Sequence, residues 1–281
     1  MKLGFYPGCS MLGSSPEYNE SLKAITGLLN IQMETIADWN CCGATAAHNL
    51  NKSLSLALPA RIIALAEQQG LEEILVPCAA CYNRLSIVQY ELQSNPAEKQ
   101  KVNGEIQLNY LGNVKILNIL QFLDKYLVPS LEGKIVKQFK HKVACYYGCL
   151  LVRPQNILKA ERYEDPQGMD KIMKNLGAEP IDWAFKTECC GAGLSVSRTD
   201  LVVKLSGEIL EDAAMRGAEA MIVACPMCHS NLDMRRKAIN NLRKDPIDMP
   251  VIYITQAIGL ALGIPLKELG LQRHFVPVNI E

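Results

Sequence analysis

Apolar and polar positions follow two different periods along the chain, and the alternation between them predicts an α/β protein. Residues 74–76 and 221–223 form short runs that are wholly apolar, which is typical of strands covered on both faces. Longer stretches show apolar residues at helical spacing, as with Tyr18, Leu22 and Ile25. Because strands and helices alternate, we expect parallel strands that are joined by right-handed crossovers.

Punctuating residues at the ends of these stretches predict where the elements begin. Asn51 or Ser53 is expected to start a helix, and Pro59 either kinks that helix or marks its true beginning. Residues 2–6 and 141–144 are short β-prone runs, each followed within a few residues by a cysteine. The other predicted helix caps are Asn118, Thr199 and Thr255.

The chain contains an internal repeat, because a shift of about half its length brings blocks of similar sequence into register. The cysteine-bearing blocks are residues 6–10 with 146–150, 39–44 with 187–192, and 74–85 with 221–232. We therefore predict two similar, pseudo-symmetric lobes, each with a small, mostly parallel sheet flanked by helices and one cysteine site. The predicted domains are 1–130 and 141–281, with residues 131–140 as the linker.

The charge balance excludes several classes of partner. The chain is 281 residues long, and its 29 Lys and Arg residues offset 29 Asp and Glu residues. With no net charge, nothing in the composition favours binding to nucleic acid or to an anionic membrane surface. The N-terminus lacks the pattern of a secretion signal, and no apolar stretch approaches the ~18 residues of a spanning helix. We therefore expect a cytoplasmic protein without membrane insertion.

The sequence lacks the glycine-rich phosphate loop of dinucleotide-binding proteins. Gly191 and Gly193 follow a cysteine pair and do not open a helix after a strand. Neither a flavin nor NAD is therefore expected to bind this chain directly. The cysteine run of a bacterial ferredoxin is also missing, so electrons for any redox reaction must come from a separate donor.

Eleven cysteines are present, and ten of them form two ordered sets of five, one in each half. The spacing is C-x31-CC-x35-C-x2-C in the first half and C-x39-CC-x34-C-x2-C in the second. The first set is Cys9, Cys41, Cys42, Cys78 and Cys81, and the second set is Cys149, Cys189, Cys190, Cys225 and Cys228. Since parallel sheets collect reactive groups at the carboxyl ends of their strands, we expect each half to gather its cysteines into one cluster of its own.

Five thiols in each half suit a polynuclear metal site better than a mononuclear one. A structural zinc ion takes four ligands, so one thiolate would be surplus, and the side chains of adjacent cysteines diverge. An iron–sulfur cluster spreads its metal atoms over a larger volume and binds thiolates. Glycines before Cys9 and Cys149, and after each Cys-Cys pair, allow positive φ and close backbone approach around such a core. Two zinc sites and buried structural thiols are the alternatives.

The motifs closely resemble those of the B subunit of heterodisulfide reductase over nearly the whole chain. They are Tyr-Pro-Gly-Cys at residues 6–9, Cys-Cys-Gly-Ala in both halves, and Ala-Cys-Tyr-Tyr-Gly-Cys-Leu-Leu-Val-Arg-Pro at residues 144–154. The 34-residue gap in the second half is shorter by one residue than the family's usual spacing, which indicates a loop deletion without loss of a ligand. The resemblance implies two noncubane 4Fe-4S clusters, each held by one set of five cysteines.

The resemblance also implies a reaction and partners. Enzymes of that family reduce a disulfide between two thiol cofactors, coenzyme M and coenzyme B in methanogens. Their electrons arrive through a ferredoxin-like C subunit from a flavin-containing A subunit. For this chain, the resemblance implies the catalytic subunit, with a small-molecule or protein disulfide at the seam between the lobes. A disulfide needs two electrons and a typical cluster supplies one, so two clusters flanking the substrate could each take one sulfur.

Other residues near the motifs are weaker candidates. His229 follows Cys228 directly and could hydrogen-bond a sulfur or protonate a leaving thiolate, and His48 is a candidate of the same kind. Arg153 could bind a phosphate or sulfonate group through its guanidinium. Cys145, the eleventh cysteine, is expected to be a buried neighbour, with an alternate ligand or a redox-active thiol as the other hypothesis.

A second class of function remains open for the same residues. An iron–sulfur subunit of another CCG-containing oxidoreductase complex would pass electrons to a partner without binding a small disulfide. Members that act in fumarate, lactate or glycolate systems commonly carry ferredoxin-type motifs in the same chain, and this sequence lacks them. Release of thiols from a disulfide by the reduced protein would distinguish the two functions.

Overall fold

Two four-stranded parallel sheets form the framework of the protein, which a computed structural model describes for residues 2–45 and 47–280. The strands are β1 Leu3–Phe5, β2 Glu34–Thr35, β3 Glu73–Leu75, β4 Lys115–Leu117, β5 Lys142–Tyr146, β6 Glu179–Pro180, β7 Ala220–Val223 and β8 Val251–Tyr253. The first sheet has the order β2-β1-β3-β4, and the second has the order β6-β5-β7-β8. Every pairing is parallel, which confirms the predicted α/β fold with two pseudo-symmetric lobes.

Helices connect the strands in a similar order in both lobes. In the first lobe they are α1 Gly8–Leu12, α2 Pro16–Leu28, α3 Ala47–Leu50, α4 Lys52–Gln68, α5 Ala79–Ser94, α6 Pro96–Ile106 and α7 Ile119–Phe122. In the second lobe they are α8 Gln155–Leu158, α9 Gly168–Asn175, α10 Thr199–Met215, α11 Pro226–Asp233, α12 Arg236–Asn240 and α13 Ile254–Ala261. By position in the repeat, α2 corresponds to α9, α4 to α10, α5 to α11 and α7 to α13.

The central strands bring the cysteines to one edge of each sheet. β3 and β7 are buried along their whole length, as their apolar runs predict. The chain reaches Cys78 just after β3 and Cys225 just after β7. The neighbouring strands β1 and β5 lead in the same way to Cys9 and Cys149. Because paired parallel strands end at the same edge, cysteines that are distant in sequence come together there.

Two helix starts agree with the sequence prediction. Asn51 is the N-cap of α4, and its side chain accepts a hydrogen bond from Leu54 N–H at 3.1 Å. Asn118 caps α7 in a capping box, in which its side chain and that of Gln121 each accept the other's backbone N–H. Local side-chain chemistry is sufficient to specify these boundaries.

The structure contradicts the two other predicted caps. Thr199 is the first residue of α10, and Arg198 before it makes no side-chain cap hydrogen bond. Thr255 lies within α13, whose N-cap is Tyr253. The Thr255 hydroxyl lies 2.7 Å from the hydroxyl of Ser21 on α2, so a contact between the lobes uses the group that a local cap would need.

Pro59 lies inside α4 and does not mark the beginning of the helix. Proline has no N–H group, so the carbonyl of Ser55 one turn earlier has no helical donor. The Arg84 guanidinium on α5 donates to that carbonyl at 3.2 Å. Helix α5, which carries the first C-x2-C motif, thereby supports helix α4.

The lobes meet along α2 of the first and α13 of the second. Tyr18 and Tyr253 stack with ring centroids 4.2 Å apart and planes at 4°. The Tyr18 hydroxyl donates to Ala224 O at 3.2 Å, at the residue directly before Cys225. These buried contacts hold the cysteine-bearing edges of the two sheets against each other.

Residues 131–140, which the sequence predicts as a linker, hydrogen-bond to the second lobe. The N–H groups of Val136 and Lys137 both donate to Ala261 O, at 2.9 and 3.1 Å. Phe139 N–H donates to Leu176 O at 2.8 Å, and its side chain is buried. This segment is therefore packed structure, and the domain limits at 130 and 141 stay a prediction.

Candidate functional site

Each C-x2-C motif begins a helix. Cys78 is the N-cap residue of α5 and Cys225 is the N-cap residue of α11, so Cys81 and Cys228 lie in the first turns. Unpaired N–H groups and the helix dipole at that end stabilise negative charge, which favours thiolates. Both motifs are therefore placed where anionic sulfur is stabilised.

A glycine with left-handed backbone comes before the first cysteine of each set. Gly8 has a φ of +62° and Gly148 has a φ of +68°. A Cβ on Gly8 would lie 3.3 Å from Cys81 Sγ, and a Cβ on Gly148 would lie 3.1 Å from Cys228 Sγ. These values confirm the predicted positive φ and close approach. Glycine suits both positions because it has no Cβ.

Tyrosines at the carboxyl ends of β1 and β5 hold the loops that carry the Cys-Cys pairs. The Tyr6 hydroxyl donates to Asn40 O at 2.8 Å, and the Tyr146 hydroxyl donates to Glu188 O at 2.7 Å. Each accepting residue directly precedes a Cys-Cys pair. The same tyrosine-to-carbonyl bond therefore orients the pair in both lobes.

The amide after each pair points back to the first sulfur of that pair. Gly43 N–H donates to Cys41 Sγ at 3.4 Å, and Gly191 N–H donates to Cys189 Sγ at 3.3 Å. The two glycines have φ values of +75° and +78°, which again confirms the predicted backbone. Such N–H groups stabilise thiolate sulfur and any metal that it binds.

Cys42 lies at the centre of the first set. Its Sγ is 3.1 Å from Cys81 Sγ, and hydrogen bonds with the thiols of Cys41 and Cys81 lower the pKa of Cys42 to about 4. Cys81 also hydrogen-bonds to Cys78. The pKa of Cys41 is raised, first by its hydrogen bond to Cys42 and more weakly by the charge of nearby Cys9. All five thiols of the set thus interact.

The second set has the same arrangement with looser contacts. Cys190 Sγ lies 3.7 Å from Cys228 Sγ, and Cys228 hydrogen-bonds to Cys225. A hydrogen bond with Cys149 lowers the pKa of Cys189 to about 6. Cys189 is exposed and Cys149 is half-buried, whereas the other three are buried.

Cys78 and Cys225 join the two sets across the boundary between the lobes. The interaction between these two thiols raises the pKa of Cys78, so they are close neighbours. Hydrogen bonds with Cys228 and Cys78 lower the pKa of Cys225 well below its usual range. The sequence predicts one cluster in each half, and the structure adds that the two groups of thiols are contiguous.

A cavity of about 490 Å³ opens at the seam between the lobes. All five cysteines of the first set line it. The opposite wall comes from the second lobe and includes Ser195, Val196, Met227, Asn231, Met234 and Arg235. In the part of the chain that the structure describes, no cysteine of the second set is among the lining residues. The cavity therefore gives direct access to the first set alone.

Asn231 links the cavity wall to the second set. Its amide group donates to Cys190 O at 3.1 Å and lies 3.6 Å from Cys190 Sγ. Its side-chain oxygen accepts from Ser195 Oγ at 2.9 Å, and Arg235 donates to Ser195 O at 2.6 Å. Asn231 is not among the residues predicted from the sequence. The sequence does contain a signal for it. Asn231 and Arg235 follow Cys228 by three and seven positions, and this spacing is typical of residues on one face of a helix.

Two residues that the sequence suggested lie away from the cavity lining. Arg153 is exposed, and its guanidinium donates to the carbonyl and hydroxyl oxygens of Thr187, each at 3.4 Å. Cys145 is fully buried in β5, and burial raises the pKa of its thiol, which fits the predicted buried neighbour. The side chain of His48 lies outside the described residues. The role predicted for Arg153 stays a prediction that the cavity does not support.

His229 belongs to a buried hydrogen-bond network centred on Val251 O. The His229 Nε2 and His274 Nδ1 atoms each lie 3.0 Å from that carbonyl oxygen. Two backbone groups fix the Gln256 amide, so its N–H donates to His274 Nε2 at 2.8 Å and the proton of His274 sits on Nδ1. Burial lowers the pKa of both rings, which keeps them neutral. Asp233 also lies near, but the protonated Nδ1 leaves no lone pair for a metal ion.

The donor set fits an iron–sulfur cofactor. Ten thiols lie in two contiguous groups, and neighbouring thiols and N–H groups lower the pKa of at least one member of each group. Metal binding requires the deprotonated thiolate, which the N–H groups of Gly43 and Gly191 and the N-termini of α5 and α11 stabilise. A single zinc ion would use four of the five sulfurs in each set, whereas a polynuclear iron core suits the Cys-Cys pair and the glycine cradle.

Replacing Gly148 by Ala is expected to lower the iron bound by the second set. The alanine would have to keep the left-handed backbone conformation of Gly148, and its Cβ would displace Cys228 Sγ, which lies 3.1 Å away. Gly217→Ala is the matched control, because Gly217 has a φ of +78° and no atom within 4 Å of the Cβ position. Both variants should lose about 1 to 2 kcal/mol of unfolding free energy through backbone strain, but iron assays should show a loss for Gly148→Ala alone. Equal iron in both would contradict a role of Gly148 in shaping the site.

Comparison with known proteins assigns the repeated motif to a family. The pattern of the cysteine-rich domain, CCG, matches residues 3–86 and 143–233, once in each lobe. The chain belongs to the CCG cysteine-rich domain family. In this CCG protein the domain is duplicated, and the matched ranges contain all ten cysteines of the two sets.

Two relatives align with nearly the whole CCG protein. The 8-methylmenaquinol:fumarate reductase membrane anchor subunit of Wolinella succinogenes is 31% identical over 279 residues, which cover 98% of this chain and 97% of the relative. The B subunit of the ferredoxin/F420H2-dependent CoB-CoM heterodisulfide reductase of Methanosarcina acetivorans is 32% identical over 289 aligned residues, covering 100% and 95%. The second relative confirms the resemblance found in the motifs. Within the described part of this chain, no helix combines the length and the apolar character needed to cross a membrane.

A solved structure shows the same fold. A hypothetical protein from Helicobacter pylori superposes with a TM-score of 0.81 at 13% sequence identity. The superposition covers 100% of the CCG protein and 53% of the Helicobacter pylori chain, so this chain spans about half of that structure. At this identity, the match supports the two-lobed α/β architecture and carries no information on activity.

Proposed function

We propose that this CCG protein is the catalytic subunit of a heterodisulfide reductase-like complex, which reduces a disulfide to two thiols or catalyses the reverse reaction. The observation that carries the proposal is the cavity of about 490 Å³ whose wall contains all five cysteines of the first set. A small molecule can reach the exposed Cys9 and Cys41 there without any rearrangement of the lobes, while Cys42, Cys78 and Cys81 are buried. The relatives from Methanosarcina, which are B subunits of heterodisulfide reductases, support the same activity.

We also propose that each set of five cysteines holds one noncubane 4Fe-4S cluster. The first set would provide Cys9, Cys41, Cys42, Cys78 and Cys81, and the second set would provide Cys149, Cys189, Cys190, Cys225 and Cys228. When bound, such clusters supply electrons one at a time. We expect neither a flavin nor NAD in this chain, so a ferredoxin-like C subunit and a flavin-containing A subunit would deliver the electrons.

The overall reaction joins one disulfide with two electrons and two protons and yields two thiols. One-electron reduction by a ferredoxin-like protein would occur twice in each turnover. The proximity of Cys78 and Cys225, whose thiols shift each other's pKa, supports electron exchange between the two sets. The described cavity lining contains no carboxylate or imidazole, so both protons would come from water at the cavity mouth.

The cavity favours unequal roles for the two sets. The sequence predicts that both clusters flank the disulfide and that each takes one sulfur. The described lining contains cysteines of the first set and none of the second. We therefore propose that the disulfide meets the first set, while the second set supplies the second electron across the Cys78 and Cys225 contact.

A single-turnover experiment tests this function. Anaerobically purified protein, chemically reduced and freed of reductant, is mixed with a panel of small disulfides, and the released thiols are counted with a chromogenic reagent. We expect two thiols for each disulfide consumed. The Cys81→Ala variant is the negative control, because it lacks a sulfur at the centre of the first set.

The relative from Wolinella succinogenes favours a second candidate function. Its name describes a subunit of a fumarate reductase complex, and the match covers 98% of this chain. In that case, this CCG protein would transfer electrons within a different oxidoreductase complex and would not bind a disulfide. Protein that accepts and donates electrons but releases no thiol from any disulfide in the panel would support this second function.

A further inference from the structure

We infer that the cavity binds a small disulfide with one acid group and a largely apolar body, and that Arg235 holds the acid group. This inference rests on the proposed function and adds the class of substrate. The cavity already described supplies three independent observations, which are its charge, its apolar lining and its volume.

Arg235 is the one cationic side chain among the described residues that line the cavity. Among the described lining residues other than cysteine, it is the one with an ionisable side chain, and it is half-buried. One guanidinium nitrogen donates to Ser195 O at 2.6 Å, which orients the group without neutralising it. No carboxylate in the described chain pairs with Arg235, so its other N–H groups can bind an anionic ligand.

The remaining wall of the cavity is poor in charge. Val196, Met227 and Met234 supply apolar surface from the second lobe, opposite the cysteines of the first. Methionine thioethers are polarisable and adapt to sulfur-containing ligands. A second acid group on the ligand would find no second cation among the described lining residues, so it would gain no charge-assisted hydrogen bond to a guanidinium or ammonium group. A disulfide with a phosphate at one end and a sulfonate at the other is therefore a poor match.

The cavity volume limits the size of the ligand. About 490 Å³ lies within the usual range for small-molecule sites, but an inorganic core bound to the first set would occupy part of it. The acid-binding group and the cysteines belong to opposite lobes, so a bound ligand must span the seam with its acid end at Arg235. These limits favour a short aliphatic disulfide with a single carboxylate.

Calorimetric titration of the anaerobically purified protein tests the inference. The probes are ethyl 2-carboxyethyl disulfide with one carboxylate, its neutral methyl ester, and 3,3′-dithiodipropionate with two carboxylates. We expect the monoacid to bind at least about 10-fold more tightly than either of the others, as a charge-assisted hydrogen bond predicts. A thioether analogue of the monoacid, in which a methylene group replaces one sulfur, should show the same preference although it cannot be reduced.

Three variants identify the residue responsible. Arg235→Gln should weaken binding of the monoacid about 10- to 100-fold and leave binding of the neutral ester unchanged. Arg235→Lys keeps the positive charge and should retain most of the preference. Arg216→Gln is the matched control, because Arg216 forms an exposed ion pair with Asp212 at the far end of α10 and does not line the cavity.

The outcomes separate this inference from the proposed function. Equal binding of all three probes, tightest binding of the diacid, or no effect of Arg235→Gln would overturn the inference even if thiols are released. Arg235-dependent binding of the thioether analogue without thiol release from any disulfide would support the inference on the ligand and reject disulfide reduction.

Discussion

Cys81→Ala is expected to lower the iron content of the anaerobically purified protein from about eight atoms per chain to about four. Cys81 connects the first set, because its Sγ lies 3.1 Å from Cys42 Sγ and it also hydrogen-bonds to Cys78. Its removal also opens the space that Gly8 faces at 3.3 Å. The measurement is a colorimetric iron assay with electron paramagnetic resonance of the reduced protein, in which the signal of one site should disappear.

Cys145→Ala is the matched control for this experiment. Cys145 is equally buried, but it lies within β5 and belongs to neither set. Its loss should leave the iron content unchanged. Cys228→Ala should mirror Cys81→Ala by removing the signal of the second site. Two bound zinc ions and no iron in the unmodified protein, or loss of iron in Cys145→Ala alone, would contradict the assignment of the two sets.

Asp170→Ala is expected to lower the free energy of unfolding by about 3 to 5 kcal/mol, the usual cost of removing one partner of a buried ion pair. The Asp170 carboxylate is buried, lies 3.1 Å from Lys186 Nζ, and accepts a hydrogen bond from the Tyr147 hydroxyl at 2.5 Å. Lys186 is itself 2% exposed, so its ammonium group would lose a buried counter-charge. Urea unfolding followed by circular dichroism gives the difference.

Asp170→Ala should also affect the binding of iron by the second set of cysteines. The N–H groups of Tyr147 and Gly148 donate to Lys186 O at 2.9 and 3.1 Å, so the network positions the segment that leads to Cys149. We therefore expect Asp170→Ala to lower the iron held by the second set more than that held by the first. Intact iron at both sites together with a large loss of stability would show that the network supports the fold alone.

Two further variants isolate the buried charge. Asp165 also pairs with Lys186 at 2.9 Å, but its side chain is 42% exposed, so Asp165→Asn should cost less than about 1 kcal/mol. Combining Asp170→Asn with Lys186→Met removes both buried charges and should recover much of the stability lost in Asp170→Ala. A double variant as unstable as Asp170→Ala would contradict the ion-pair explanation.

The sequence was sufficient to predict features that depend on a residue and its near neighbours in the chain. Gly8, Gly43, Gly148 and Gly191 have the positive φ that their places beside cysteines indicated, because the backbone requirement acts on the residue itself. Asn51 caps its helix as expected, since the bond to Leu54 N–H spans one turn. The repeat extended such local predictions from one lobe to the other.

Sequence proximity is a poor guide where a side chain has a partner that is distant in sequence. The predicted cap at Thr255 is wrong, whereas the roles predicted for Arg153 and His229 stay predictions. Thr255 does not cap α13, because its hydroxyl contacts Ser21 of the first lobe. Arg153 lies next to a motif in sequence but is exposed beside Thr187, whereas Arg235 faces the cavity. His229 directly follows a cysteine, yet Val251 O determines the position of its ring. Proximity in sequence was a poor guide to these side-chain directions.

The sequence by itself determined the α/β class, the duplication, and the two sets of five cysteines, because periodicity, turn residues and the repeat are properties of neighbouring positions. Only the tertiary structure decided how the lobes meet, through the stacking of Tyr18 on Tyr253 and the hydrogen bond from the Tyr18 hydroxyl to Ala224 O. It also decided that the seam cavity opens onto the first set alone. Packing between lobes depends on surfaces assembled from distant segments, and the spacing of residues along the chain does not encode it.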